Sequence, residues 1–89
     1  MFPEGSGATQ RLATFLLDIN GRLHPDDSVA HEFDLPMSRE DISNYLGITA
    51  ETLSRQFSKL RRKRLIGVDR RHIRVLDAMR LDLIAQGVN

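Results

Sequence analysis

Two consecutive helix starts, eleven residues apart, constrain this chain more than any other feature. The stretch from Ser38 to Leu65 reads SREDISNYLGITAETLSRQFSKLRRKRL. Ser38 can accept the first amides of a helix, with Asp41 three residues on to complete a capping box. Met37 and Ile42 stand at the positions of a hydrophobic staple around that cap. Thr49 repeats the device, with Ile48 and Leu53 as its staple pair. Between them Gly47 falls where the first helix must stop and a left-handed residue costs least. Two short helices, a turn of a few residues and a fixed angle are the grammar of a helix-turn-helix.

The second helix, expected at about 49–63, carries the chemistry. Stepping ~100° per residue brings Leu53, Phe57 and Leu60 into one apolar stripe. Glu51, Arg55, Ser58 and Arg62 fall on the opposite side, flanked by Ser54 and Lys59. Such a helix suits the DNA major groove, where Arg can bond guanine bidentately, Glu can accept from cytosine and Ser can serve several base edges. Charged helical faces are more commonly plain solvated faces. Here the double cap, the turn glycine and the basic continuation argue for the groove.

The same stretch resembles the DNA-binding domain of the Crp/Fnr family of bacterial transcription regulators. Glu51-Thr52-Leu53-Ser54-Arg55 matches that family's E-T-x-S-R recognition signature, and residues 41–47 match its D-I-x-x-Y-L-G first helix. Ala50 and Ser54 stand where the cyclic-AMP receptor branch has Arg and usually Gly, so the resemblance is to the Fnr/FixK branch. It covers roughly residues 10–76 and does not extend to a sensor half. The resemblance implies a mainly α fold with a small β wing, a winged helix-turn-helix. It further implies a TTGAT-like half-site in an inverted repeat, and dimers formed through a long helix ahead of the domain. Without that helix, the chain is expected to be a monomer or a weak dimer.

Composition agrees once its distribution is considered. Net charge is only +1, but nine of the thirteen Lys and Arg residues lie between Arg55 and Arg74, opposed there by Asp69 alone. That polarity turns one surface toward a polyanion. The absence of cysteine excludes a disulfide framework, a thiolate nucleophile and a cysteine-held iron–sulfur cluster. No apolar run reaches membrane-spanning length and no signal peptide opens the chain, so a cytoplasmic protein is expected.

Residues 1–7, MFPEGSG, read as a flexible lead, and residues 8–89 as the winged helix-turn-helix domain. From Ala8 to Leu23 the apolar residues Leu12, Phe15, Leu16, Ile19 and Leu23 recur at helical spacing, predicting a supporting core helix. His24 to Asp34 reads as a loop ending in a short strand at 32–35, before Pro36. His24, Asp26, Asp27 and His31 could each ligate a metal, but their spacing fits no helix face or finger, so no metal or cofactor is expected. At this position the resemblance implies a contact with RNA polymerase. After Leu65, Ile66 and Val68, then Ile73 and Val75, flank the polar turn Asp69-Arg70-Arg71-His72 and predict a two-stranded wing. Asp77 is placed to cap a last helix ending at Ala85, with Leu81 and Ile84 inward and Gly87 as its stop.

These residues assign Glu51, Ser54 and Arg55 to base reading. Phosphate binding falls to Ser38, Thr49, Thr52, Ser58, Lys59, Arg62, Arg70, Arg71 and His72, since such donors position a protein on duplex DNA without reading sequence. Glu51, one turn before Arg55, could also orient that guanidinium. An alternative is a winged-helix interaction module for RNA polymerase or a regulatory partner, which would not need a basic recognition face. An enzyme is not expected: there is no nucleophile elbow, phosphate loop or convergent pair of carboxylates.

Overall fold

The first helix, α1 (Ala8–Leu23), is the floor against which the other three helices and the first strand pack. A computed structural model describes residues 7–24 and 31–87 of the chain. Leu12, Ala13, Phe15, Leu16, Ile19 and Asn20 are the buried side of α1. The helix stops at His24, the residue before Pro25, where proline's ring disfavours a further helical turn. Leu23 departs from the expectation set by its spacing and is 57% exposed. It belongs to the last turn, where it edges a shallow groove with Phe15, Ile19 and Tyr45 instead of entering the core. The lead expected at residues 1–7 lies outside the described residues except for Gly7, which is the N-cap of α1.

Next come a three-residue strand β1 (Glu32–Asp34), helix α2 (Arg39–Leu46) and helix α3 (Ala50–Arg62). The caps form as the sequence requires: Ser38 Oγ accepts the Asp41 amide at 3.1 Å, and Thr49 Oγ1 accepts the Thr52 amide at 3.0 Å. Gly47 takes φ +72°, ψ +33°. Its amide bonds Asn44 O and the Ile48 amide bonds Ser43 O at 3.0 Å, closing α2 with a Schellman motif. α3 ends in the same motif without a glycine. Arg64 occupies the left-handed position at φ +59°, with the amide of Arg64 on Arg61 O and that of Leu65 on Leu60 O. The fully buried pair Leu60 and Leu65 supplies the accompanying hydrophobic contact that offsets the strain at Arg64, about 1–2 kcal/mol for a non-glycine residue.

Strands β2 (Ile66–Asp69) and β3 (His72–Val75) form the wing hairpin. Its turn is narrower than expected: Asp69 and His72 are paired across the strands, leaving Arg70 and Arg71 as the tip, with Arg70 left-handed at φ +58°. The wing also has a third strand. β1 pairs antiparallel with β3, giving the order β1-β3-β2, with Phe33 opposite Ile73 and Asp34 opposite His72. The alternation buries Phe33, Ile73 and Val75 and turns Glu32, Asp34 and Arg74 outward.

Asp77 caps α4 (Ala78–Ala85) by accepting the Arg80 amide at 3.1 Å. Leu81 is fully buried, Ile84 packs against the core edge and Gly87 takes φ +86°, as the sequence leads one to expect. α4 returns to α1 and is pinned there by Gln10, whose Nε2 donates to Ala85 O at 3.2 Å. A single core of leucines, isoleucines and phenylalanines from all seven elements results, in a body of 32 × 27 × 25 Å.

Candidate nucleic-acid interface

The apolar stripe of α3 decides which of its residues face solvent. Leu53, Phe57 and Leu60 are sunk into the core, so the residues on the other side must project outward. Glu51, Ser54, Arg55, Lys59, Arg61 and Arg62 are exposed, and Ser58 is half-buried. One open concavity along the helix is lined by Ser54, Arg55, Ser58, Lys59 and Arg62 together with Arg61 and Gln56. Ser54, Arg55, Ser58, Lys59 and Arg62 therefore share one surface, which Glu51 and Thr52 do not line. Arg61 belongs to it too, although helical periodicity alone does not place it on the base-facing side.

At the front of that surface Arg55 Nη2 lies 3.5 Å from Glu51 Oε1, with side-chain exposures of 69% and 82%. So exposed an i,i+4 pair contributes little to stability. The pair places the carboxylate one turn ahead of the guanidinium, with both side chains open to solvent.

The hydroxyls expected on phosphate sit at helix starts. Ser38 and Thr49 are committed to their caps, and Thr49 Oγ1 also donates to Thr52 Oγ1 at 2.9 Å.

The wing tip presents Arg70 and Arg71, both exposed. Arg71 Nη2 donates to Leu35 O at 2.9 Å, and Leu35 N donates to Arg71 O at 2.7 Å, which ties the tip to the end of β1. His72 is placed differently from its two neighbours. Its Nδ1 meets Asp34 Oδ1 at 2.9 Å and its Nε2 meets Glu32 Oε1 at 2.8 Å. An imidazole can donate from both nitrogens only when protonated. The Asp34 and Glu32 hydrogen bonds accordingly raise the His72 pKa above its ordinary 6.5. With both nitrogens engaged, the ring is a clasp between β1 and β3 and has no donor left for a phosphate.

Arg39 holds a place that the sequence does not announce. Its guanidinium carbon lies 4.2 Å from the centre of the Phe57 ring, and its Nη2 donates to Arg70 O at 2.7 Å. Partial burial lowers its pKa from the ordinary guanidinium value. No local pattern signals these contacts, because the partners are 18 and 31 residues away in sequence.

Among the described residues no group of three or more His, Cys, Asp or Glu side chains could hold a metal. His24 Nε2 instead bonds Glu32 O at 3.0 Å, and Asn20 Nδ2 contacts His31 Nδ1 at 3.3 Å. Asp26 and Asp27 lie outside the described residues, as does most of the loop for which a polymerase contact is expected. No helix among the described residues is long and apolar enough to cross a membrane.

Comparison with known proteins adds the family context. Residues 10–84 match the model of the Crp-like helix-turn-helix domain. The chain is 39% identical over 80 residues to the transcriptional activator protein FnrA of Stutzerimonas stutzeri, covering 90% of the chain and 33% of FnrA. It is 41% identical over 78 residues to the nitrogen fixation regulation protein FixK of Bradyrhizobium diazoefficiens, covering 88% of the chain and 33% of that protein. The chain thus spans about a third of the length of the curated relatives it matches. The solved structure of FixK2 from Bradyrhizobium japonicum superimposes with a TM-score of 0.76 at 38% identity, over 91% of this chain and 39% of that one. The catabolite activator protein of Thermus thermophilus, at 22% identity and a TM-score of 0.71, shares the fold over 92% of this chain and 35% of its own.

Proposed function

The chain belongs to the family of Crp-like helix-turn-helix domains, on the Fnr/FixK side, and on that premise we propose that it binds duplex DNA sequence-specifically in the regulation of transcription. The relatives are named as transcription regulators, not enzymes. The observation that carries the proposal is the exposed Glu51–Arg55 pair at the front of α3, backed by the buried Leu53–Phe57–Leu60 stripe.

In this reading α3 lies in the major groove of a TTGAT-like half-site. Arg55 takes a guanine through its outward donors, Glu51 orients Arg55 and accepts from cytosine, and Ser54 serves an adjacent base edge. Lys59, Arg62 and the wing residue Arg70 hold phosphates, with Ser58, Thr52 and the capped starts of α2 and α3 beside them. Arg61 joins the phosphate set on the strength of its place in the same concavity. Half-sites would form an inverted repeat read by two modules. RNA polymerase would be the second partner, and the bacterial cytoplasm the compartment.

The test is a fluorescence-anisotropy titration of the chain against a palindromic TTGAT duplex and a scrambled duplex of equal length, at several salt concentrations. Tighter binding to the palindrome, with affinity falling linearly on a log–log salt plot, is the expected result. Equal binding to both duplexes removes base readout. No binding to either, with capture of RNA polymerase instead, supports the interaction-module alternative.

A further inference from the structure

Three elements must keep a fixed relation if a winged helix is to straddle a DNA backbone: the start of α2, the recognition helix and the wing tip. One side chain touches all three. Arg39 begins α2, stacks at 4.2 Å on Phe57 from the buried stripe of α3, and donates at 2.7 Å to the carbonyl of Arg70 at the tip. It lines a cleft of about 370 Å³ together with Ser54, Ser58 and Arg61 of α3 and Val68 of β2. From these contacts we propose that Arg39 is a positioning residue for DNA binding, which sets the wing tip at a defined height beside the recognition helix. The inference rests on the DNA-binding reading above and adds to it the device that orders the wing.

The chemistry requires an arginine. A guanidinium can lie flat on an aromatic face and still donate in its own plane, whereas an ammonium presents a point charge with no such plane. Phe57 is only 5% exposed, so it is a fixed platform and the cation over it inherits that fixity. The acceptor is equally well placed. Arg70 is left-handed at φ +58°, a conformation a non-glycine residue keeps only when its surroundings hold it. The Arg39 bond to Arg70 and the reciprocal Leu35–Arg71 bonds are those surroundings. Partial desolvation of the Arg39 guanidinium makes its hydrogen bond harder for water to replace. The side chain is thus engaged on both faces of its task, and its effect on DNA passes through Arg70.

The experiment measures Arg39→Met, which keeps an apolar stem over Phe57, alone and combined with the double variant Arg70→Ala/Arg71→Ala, against the palindromic and scrambled duplexes over a range of salt. Arg39→Met should weaken both duplexes by about the same factor and lower the salt slope by roughly one unit, as loss of one phosphate contact does. Added to Arg70→Ala/Arg71→Ala, which removes the charges of the wing tip, it should weaken binding no further than that double variant alone. Multiplying effects would mean that Arg39 holds a phosphate itself, and wild-type affinity for Arg39→Met would mean that the wing needs no such tie; either result overturns the proposal. If Arg39→Met fails to fold, Arg39→Lys is read by the same non-additivity. A second arm needs no DNA: backbone ¹⁵N order parameters at residues 69–72 should fall from about 0.85 to below 0.6 in the variant while those of α3 hold. An unchanged wing refutes the positioning role. A loosened wing in a protein that binds neither duplex upholds the tie and refutes only the function proposed for it.

Discussion

Replacing Gly47 tests the turn on which the interface depends. Its φ of +72° places it where L-residues are strained, and a Cβ there would stand 3.2 Å from Arg11 Nη1. That same Nη1 donates to Leu46 O at 2.8 Å, so the contact is with a working hydrogen bond. For Gly47→Ala the left-handed strain is about 1–2 kcal/mol. Loss of glycine's freedom in the unfolded chain returns about 0.4–1 kcal/mol. A retreat of Arg11 by a few tenths of an ångström preserves its bond, so the net loss is about 1 kcal/mol. In a domain of this size that lowers Tm by about 4–8 °C. Gly47→Val adds γ-methyls, with strain of about 1–3 kcal/mol, and dislodges Arg11 at a further ~1.5–3 kcal/mol. The sum, about 2.5–6 kcal/mol, takes a large part of the roughly 5–15 kcal/mol typical of a folded domain, so the valine variant should melt far below both the wild type and the alanine variant.

Two glycines serve as internal controls in the same thermal and urea denaturation series. Gly21 sits inside α1 with nothing within 4 Å of the position a Cβ would take, and Gly21→Ala should stabilise by roughly 0.5–1 kcal/mol through helix propensity. Gly67, on β2, would place its Cβ 3.7 Å from Arg74 Cβ, an ordinary contact, and its alanine variant should stay within about 0.5 kcal/mol of wild type. A Gly47→Ala protein as stable as wild type, alongside a stabilised Gly21→Ala, would refute the strain argument at the turn.

Arg55→Ala should cost about 1–3 kcal/mol on the palindromic duplex and relax preference at one base pair. An even loss over palindromic and scrambled DNA would make Arg55 a phosphate residue. Replacing Arg70 and Arg71 together with Ala should weaken binding to all sequences alike and reduce the salt slope by roughly one to two units; an unchanged slope takes the wing out of the interface. His72 has a folded pKa raised by Asp34 and then Glu32, so the stability it contributes is complete below its unfolded value of 6.5 and is lost as pH rises through the folded one. Melting temperature should therefore decline across that alkaline-going window, and Asp34→Asn should flatten the decline. In sedimentation without DNA, the 89-residue polypeptide should run as a monomer or weak dimer; a stable dimer would reveal an interface of its own.

What can be read from the sequence, and what cannot, divides by distance along the chain. Ser38, Thr49 and Asp77 announce their helices because a cap reaches only three residues ahead, and all three caps form. The stripe of Leu53, Phe57 and Leu60 is legible for the same reason, since helical periodicity is itself local. From that stripe the outward face with Glu51, Ser54 and Arg55 follows directly. β1 is visible as an alternation, but its pairing with β3 is not, because no local pattern names the partner of a short strand. The contacts of His72 are hidden with that pairing: its carboxylates, Asp34 and Glu32, arrive from 38 and 40 residues away. Arg39 is silent in the sequence on the same ground, being tied to Arg70 across 31 residues.

The two helix ends show how tertiary packing supplies what local chemistry lacks. Gly47 and Arg64 take almost the same φ, +72° and +59°, and close the same hydrogen-bonded motif. Glycine advertises the first, whereas arginine, with no special liking for that conformation, conceals the second. What holds Arg64 there is its neighbour, since Leu65 must be buried against Leu60 for the chain to leave α3 and enter β2. Burying one leucine is worth about 1.5–3 kcal/mol, more than the ~1–2 kcal/mol of left-handed strain. Burial outweighs strain, and the strained residue is a solvent-facing arginine at the junction between the recognition helix and the wing. The turn that fixes α2 against α3 thus relies on a glycine, while the turn that launches the wing relies on the core beneath it. Loosening that core at Leu60 should therefore disturb the wing before it disturbs the angle between the two helices.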